Sequence, residues 1–250
     1  MNFRLTLQYD GSDFHGWQIQ DGQRTVQGEL TRALSLLEGR AVVVHGAGRT
    51  DAGVHAVAQV ASVELAREFA PEKLRAAING NMARDVRVIE AASVAATFHA
   101  RYSARGKTYC YRIFNAPVQS PFWSRYALHE ARGINLEKMK GAAQVFLGEH
   151  DWTAFSAAQS DVETRVRTVT RLEVCESWDA RGQGRMIEIV ASANGFLRYM
   201  VRSIAGTLLA VGRGEMESGT ISRAIESGER KLAGATAPAH GLTLMRVHYD

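Results

Sequence analysis

One carboxylate in this chain sits where chemistry would be easiest to arrange. Asp51 lies in the run Gly46-Ala47-Gly48-Arg49-Thr50-Asp51-Ala52-Gly53-Val54-His55-Ala56, with Arg49 just before it and His55 just after. Three glycines in so short a run let the backbone turn sharply and pass close to another group. A carboxylate held there beside an arginine suits a reactive centre. The same residues suit a tight turn whose side chain caps its own backbone. A cation for Asp51 is available further on. Arg198 and Arg202 fall one helical turn apart in an apolar stretch that reads as a helix from Leu197 to Val211. Arg202 is flanked by Met200, Val201 and Ile204, and an arginine even partly buried in such company requires a carboxylate, for which Asp51 is the candidate. Solvated arginines beside a buried stripe are the alternative.

Tyr109 opens the aromatic face of a strand directly after a basic connector. It reads either as a core ring or as a ring at the edge of a positive cleft that stacks on a base. His99 and Arg101, just upstream, are placed to reach phosphates or bases. Metal chemistry finds little support. The eight histidines are dispersed, no His-Glu-x-x-His run occurs, and Cys110 and Cys175 are too far apart in sequence for a zinc or redox motif. Gly46-x-Gly48 lacks the third glycine and long helix of a dinucleotide fingerprint, and no Gly-x4-Gly-Lys-Ser/Thr loop is present.

The elements that must position these residues follow from periodicity. Phe3 to Tyr9 alternates as a half-buried strand and ends at the turn signal Asp10-Gly11. A polar loop from Ser12 to Arg24 carries Phe14, His15 and Trp17, read as exposed aromatics of a contact loop. Thr25 caps a helix with Val26, Leu30, Ala33, Leu34 and Leu37 on one face, stopped by Gly39. Strands at 42–45 and 57–64 flank the Asp51 loop. Pro71 opens a second helix, closed by Asn79-Gly80-Asn81, and Val86 to Ile89 is a short strand. This β-α-β-β-α-β order matches an antiparallel sheet with two helices on one face. The second half reads as a strand at 108–114, a helix from Asn135 to Leu147, strands at 166–174 and 186–191 joined at Gly182 and Gly184, the apolar helix from Leu197, a short helix at 220–226 and a last strand at 242–249. Two α+β halves are therefore expected, 1–104 and 105–250.

The 250 residues suffice for two cores. Absence of a long apolar run and of signal-peptide features points to a cytoplasmic protein without a membrane span. The first half has as many basic as acidic residues, so the second supplies the whole net charge of +4. From Ala91 to His129 there is no acid, but there are Arg101, Arg105, Lys107, Arg112 and Arg125; from Ile189 to Gly214 there is again none, with Arg198, Arg202 and Arg213. Such stretches suit a polyanion or a solvated face.

Several motifs together carry a resemblance. Gly48-Arg49-Thr50-Asp51-Ala52-Gly53-Val54-His55-Ala56 resembles the catalytic motif of the TruA family of tRNA pseudouridine synthases. Tyr9-Asp10-Gly11 with Gly16-Trp17-Gln18, Phe98-His99-Ala100-Arg101, Tyr109 with Tyr111, Gly148-Glu149-His150-Asp151 with Phe155, Asn194-Gly195-Phe196 with Met200-Val201-Arg202, and Gly241-Leu242 follow in matching order. One departure is Met82-Ala83, where the family usually has leucine-proline.

The resemblance implies an α+β pseudouridine synthase fold: two RRM-like, ferredoxin-like halves with antiparallel sheets and helices forming a central basic cleft. It implies Asp51 as the essential aspartate, Tyr109 as the tyrosine packed on the target base, and Arg202 as the aspartate's basic partner. Arg49 would hold the flipped nucleotide out of the stack. His55, Phe98, His99, Arg101 and Arg105 are expected as further RNA contacts in the first half and connector. Lys107, Tyr111, Arg198 and Leu242 are expected in the same role beyond it. The activity implied is isomerisation of uridine at tRNA positions 38, 39 and 40 in the anticodon stem-loop, by a homodimer with no cofactor or metal. A catalytically inactive tRNA-binding protein with the same fold is the main alternative.

Overall fold

In a computed structural model the described residues are 1–158 and 163–249. The chain forms two compact units: Met1–Arg105 together with the run from Thr243, and Gly106–Leu242.

In the first unit, β1 (Asn2–Tyr9), α1 (Val26–Glu38), β2 (Val44–Gly46), β3 (His55–Glu64), α2 (Pro71–Gly80) and β4 (Val86–Val94) follow in the expected order. β1 runs between β4 and β3, antiparallel to both. Its alternation buries Phe3, Leu5, Leu7 and Tyr9. α1 starts where expected: the Thr25 hydroxyl accepts from the Gly28 N–H at 3.2 Å, and Gly39 ends the helix at φ 71°. Pro71 stands in the first turn of α2, which packs on β4 and beside α1.

The second unit holds β5 (Gly106–Asn115), β6 (Leu128–Glu130), α3 (Leu136–Ala143), β7 (Gly148–Asp151), β8 (Val166–Asp179), β9 (Gly184–Ala193), α4 (Met200–Gly212) and α5 (Gly219–Ser227). Its strands pair in the order β5-β9-β8-β7, antiparallel along that path. β10 (Leu242–His248) starts at the last residue of this unit, and its remainder belongs to the first.

Five expectations need correction. Strand pairing is mixed rather than purely antiparallel, because β10 runs parallel to β3 at Thr243 and Leu244, and β6 runs parallel to β5. Both pairings are non-local and only a few residues long, so periodicity carries no trace of them. β6 and β7 are unexpected strands, too short to alternate visibly. The helix expected up to Leu147 is α-helical only to Ala143 and finishes as a 3₁₀ turn, Gln144–Phe146. Phe14 and Trp17 are not exposed; both are 2% accessible. α4 begins at Met200, not Leu197, because Tyr199 is left-handed at φ 68°. Arg198 therefore precedes the helix and is not one turn from Arg202 on its face.

Candidate active site

In the first unit the Asp51 loop is a short turn held from several sides. The Val54 N–H donates to the Asp51 carbonyl at 3.1 Å, and Gly53 at the third position has φ 80°, as a type II turn requires. The loop before it is clasped by the segment after β1. The Trp17 N–H donates to the Thr50 carbonyl at 3.0 Å, and the Thr50 hydroxyl meets the Tyr9 hydroxyl at 2.9 Å. Gln59, fully buried, donates from its amide to the Gly48 carbonyl at 3.0 Å.

Two glycines make the clasp possible. A Cβ at Gly11 would lie 2.0 Å from the Val54 carbonyl oxygen, and one at Gly16, where φ is 86°, would lie 2.6 Å from that of Thr50. Any other residue at either position would push the strands of this clasp apart. Trp17 fills the space over Gly46, whose own Cβ would collide with the indole. The result is a half-buried Asp51 on a turn whose flanks are buried at Thr50 and Val54.

The polar residues around this turn divide by role. Arg49 is exposed, and its Nε donates to the Gln18 side-chain oxygen at 3.2 Å. Gln18 in turn donates to Gln27 at 2.8 Å. His55 is buried, and its Nδ1 accepts from the Gly11 N–H at 3.0 Å. The same Nδ1 lies 3.2 Å from Asp10 Oδ1. His55 thus braces the turn from β3. Tyr9 is enclosed, and burial, opposed by the hydrogen bonds of Thr50 and Gln59, pushes its phenol up to about 12.

In the second unit Lys107, Tyr109 and Tyr111 share one face of β5, opposite Ala193, Ala191 and Ile189 of β9. Tyr109 is 8% accessible and meets Phe196 edge-on, with ring centroids 5.2 Å apart. Tyr111 is fully buried and donates to the Pro238 carbonyl at 2.9 Å. Burial raises its phenol, and the charge of Arg202 partly opposes the rise.

Arg202, in the first turn of α4, is half-buried. Its Nε donates to the Ala237 carbonyl at 2.8 Å, while the Ala237 N–H donates back to the Arg202 carbonyl at 3.0 Å. Its guanidinium carbon lies 5.1 Å from the centroid of Tyr199, and that of Arg198 lies 4.8 Å from the same ring. The structure brings Arg198 and Arg202 together through this tyrosine rather than through helical spacing. Leu242, at the start of β10, is 6% accessible.

The connector residues belong to the first unit. Phe98 packs against Tyr249 at 5.1 Å, and the Tyr249 hydroxyl donates to the Ala100 carbonyl at 2.7 Å. Burial first, then the charge of His45, lowers the His99 imidazole. Arg101 and Arg105 are exposed. Sequence reasoning missed three supports: the buried Trp17, the left-handed Tyr199 and the 234–238 strap that receives Arg202. Gly206 and Gly234 were the available signals for the strap, since a Cβ at Gly206 would fall 1.8 Å from the Ala235 carbonyl oxygen.

Among the described residues no three His, Cys, Asp or Glu side chains gather as a metal-binding group, and no helix is long and apolar enough to cross a membrane.

The sequence profile described as tRNA pseudouridine synthase matches residues 6–103 and 142–250. The chain is 43% identical over 246 residues to tRNA pseudouridine synthase A of Ruminiclostridium cellulolyticum, covering 98% of each chain. It is 42% identical over 252 residues to that of Bacillus licheniformis, covering 100% of each. Against that of Bacillus sp. (strain KSM-64) the identity is 40% over 249 residues, covering 99% of each. A chain in the crystal structure of a Cbf5-Nop10-Gar1 complex is 13% identical, covering 96% of this chain and 57% of that one, and its TM-score of 0.35 is too low to decide anything. Matched along almost its whole length, with Asp51 and Arg202 both inside the matched segments, the chain belongs to the tRNA pseudouridine synthase family.

Proposed function

We propose that this enzyme isomerises uridine to pseudouridine at positions 38, 39 and 40 of the tRNA anticodon stem-loop, with Asp51 as the essential carboxylate. tRNA pseudouridylation is the activity its family membership supports; the positions and residue roles are our reading. The observation that carries it is the Asp51 turn: a half-buried carboxylate fixed by clamps at Gly48, Thr50 and Val54. A turn needed only for connection requires no such bracing.

The reaction breaks the N1–C1′ bond, turns the uracil, and joins C5 to C1′; the C5 proton is then lost. The base must first leave its stack, at a cost of a few kcal/mol. Arg49, exposed beside Asp51, is suited to hold the displaced nucleotide. The Asp51 carboxylate begins the chemistry by one of two routes. It adds covalently to C1′ or C6, or it removes the 2′ proton to give a glycal. Both routes use the carboxylate, and Arg202 is its proposed cationic partner. Tyr109 packs on the uracil.

Release of tritium from tRNA labelled at uridine C5 tests this. The wild-type protein releases the label; Asp51→Asn leaves tRNA binding within a few-fold and abolishes release. Equal rates from both proteins would refute the role of Asp51. Tight tRNA binding without release by either would establish the inactive RNA-binding alternative. Mapping the product in the anticodon arm tests the three positions.

A further inference from the structure

Tyr102 is 78% accessible, yet it is not a loose side chain. Its ring packs on His99 with centroids 4.4 Å apart and planes 34° apart, and His99 packs on His45 at 4.7 Å and 38°. These separations are those of aromatic pairs in contact. The ladder is anchored. His99 Nδ1 accepts from the N–H groups of Arg101 at 3.1 Å and Tyr102 at 3.3 Å, which fixes the imidazole under the tyrosine. The His99 N–H donates to Ser103 Oγ at 3.1 Å, and the Ala100 N–H to Ser62 Oγ at 3.0 Å. The turn is thereby tied to β3.

Its surroundings are cationic. Arg101 lies 5.8 Å from the Tyr102 centroid, and the whole run from Ala91 to His129 is free of acids. Carboxylates stand near two other exposed rings, although Arg181 lies 5.9 Å from the Phe122 centroid. Trp178 stands beside Asp179 and near Glu176 in sequence, and Phe122 adjoins Trp123, whose indole N–H donates to Asp179. A carboxylate next to a ring repels a phosphate chain.

We propose that Tyr102 is a stacking platform for an unpaired RNA base, with Arg101 taking the adjoining phosphate. This rests on the reading that the substrate is tRNA and adds a contact apart from the reacting uridine. A flat ring held by two others beneath it loses little freedom when a base lands on it, and every base has a face to offer. The platform therefore contributes affinity for single-stranded segments without choosing among bases.

Binding of tRNA, of a single-stranded oligouridylate and of a blunt RNA duplex is measured for the wild type and for Tyr102→Ala, Tyr102→Leu, Tyr102→Phe and Tyr102→Trp. Removing a stacking ring weakens binding roughly tenfold. Ala and Leu are expected to show that loss for tRNA and oligouridylate alike, with duplex binding unchanged. Phe and Trp, which keep an aromatic face, are expected to restore it. KM for tRNA rises in the Ala and Leu variants while kcat holds. Wild-type affinity in all four variants overturns the proposal. So does equal loss in Phe and Ala, which would assign the effect to the hydroxyl, or equal loss on the duplex, which would assign it to charge. Tritium release by the wild type is run in parallel. Its failure counts against the enzymatic reading, while the oligouridylate series still decides the platform.

Discussion

A side chain's meaning in this protein depends on what its neighbours leave it to do. Tyr109 and Tyr111 stand on the same face of β5, yet Tyr111 is sealed in with its hydroxyl on Pro238, while Tyr109 keeps a small accessible edge and an edge-on contact with Phe196. Tyr111 is thereby a support, and Tyr109 is the one of the two that we propose packs on the base. Tyr109→Ala is expected to lower single-turnover kcat by 10²-fold or so, the scale of a misplaced reactant, while the Kd for tRNA changes only a few-fold. Filter binding and tritium release measured side by side check this; parallel losses would contradict it. His55 shows the opposite movement. Its motif position suggests an RNA contact, but its Nδ1 is committed to Gly11 in a buried site. No property of the sequence distinguishes a histidine facing solvent from one folded under its own turn.

Elements decide how firmly a proposed catalytic group is held. Arg202 sits at the start of α4, and the strap from Gly234 to Pro238 returns across that helix to meet it. The strap can lie so close because Gly206 and Gly234 have no side chains: a Cβ at Gly234 would fall 2.7 Å from Thr207 Cα. Thr207 adds a hydrogen bond, its hydroxyl accepting from the Gly234 N–H at 2.9 Å. Gly206→Ala is expected to force the strap outward and cost about 1–3 kcal/mol of stability, read as a lowered urea midpoint. It should also reduce kcat beyond the effect of a destabilising change elsewhere in the second-unit core, because Arg202 loses its carbonyl partner. A variant with wild-type midpoint and rate would show that the strap has room to spare. Turn chemistry was legible here at α1, where Thr25 and Gly39 act as read. At α4 it was not: a tyrosine in the left-handed region is uncommon for a bulky residue, and the apolar pattern ran straight through it.

The whole molecule carries its buried phenols as an alkaline liability. Tyr9 titrates at about 12 in the folded protein, above its ordinary value near 10, because burial disfavours the phenolate. The folded state therefore holds a proton that the unfolded chain releases first. Its contribution to stability is complete below pH 10 and disappears as pH climbs towards 12, at about 1.4 kcal/mol per pH unit. Burial moves Tyr111 and Tyr249 the same way, so the alkaline limb should be steep. Tyr9→Phe is expected to lower stability at pH 8 by about 1 kcal/mol through loss of the Thr50 hydrogen bond, and to flatten the limb between pH 10 and 12. Denaturant titrations at several pH values check both signs. An unchanged slope would mean that Tyr9 ionises without unfolding the clasp.

The sequence by itself determined the α+β class, the β-α-β-β-α-β order of the first unit, the helix cap at Thr25, and the motif series that leads to the tRNA pseudouridine synthase family. These are local or ordered features: periodicity, capping chemistry and motifs that can be read along one line. Tertiary structure alone decided that Trp17 is a buried support, that β10 returns to pair with β3, that Ala237 holds Arg202, and that His45, His99 and Tyr102 form a ladder. Each joins residues far apart in the chain or turns on a backbone conformation that the residue type disfavours. Such contacts are settled by which surfaces can pack and which buried polar groups find partners, and neither is written in the spacing of residues.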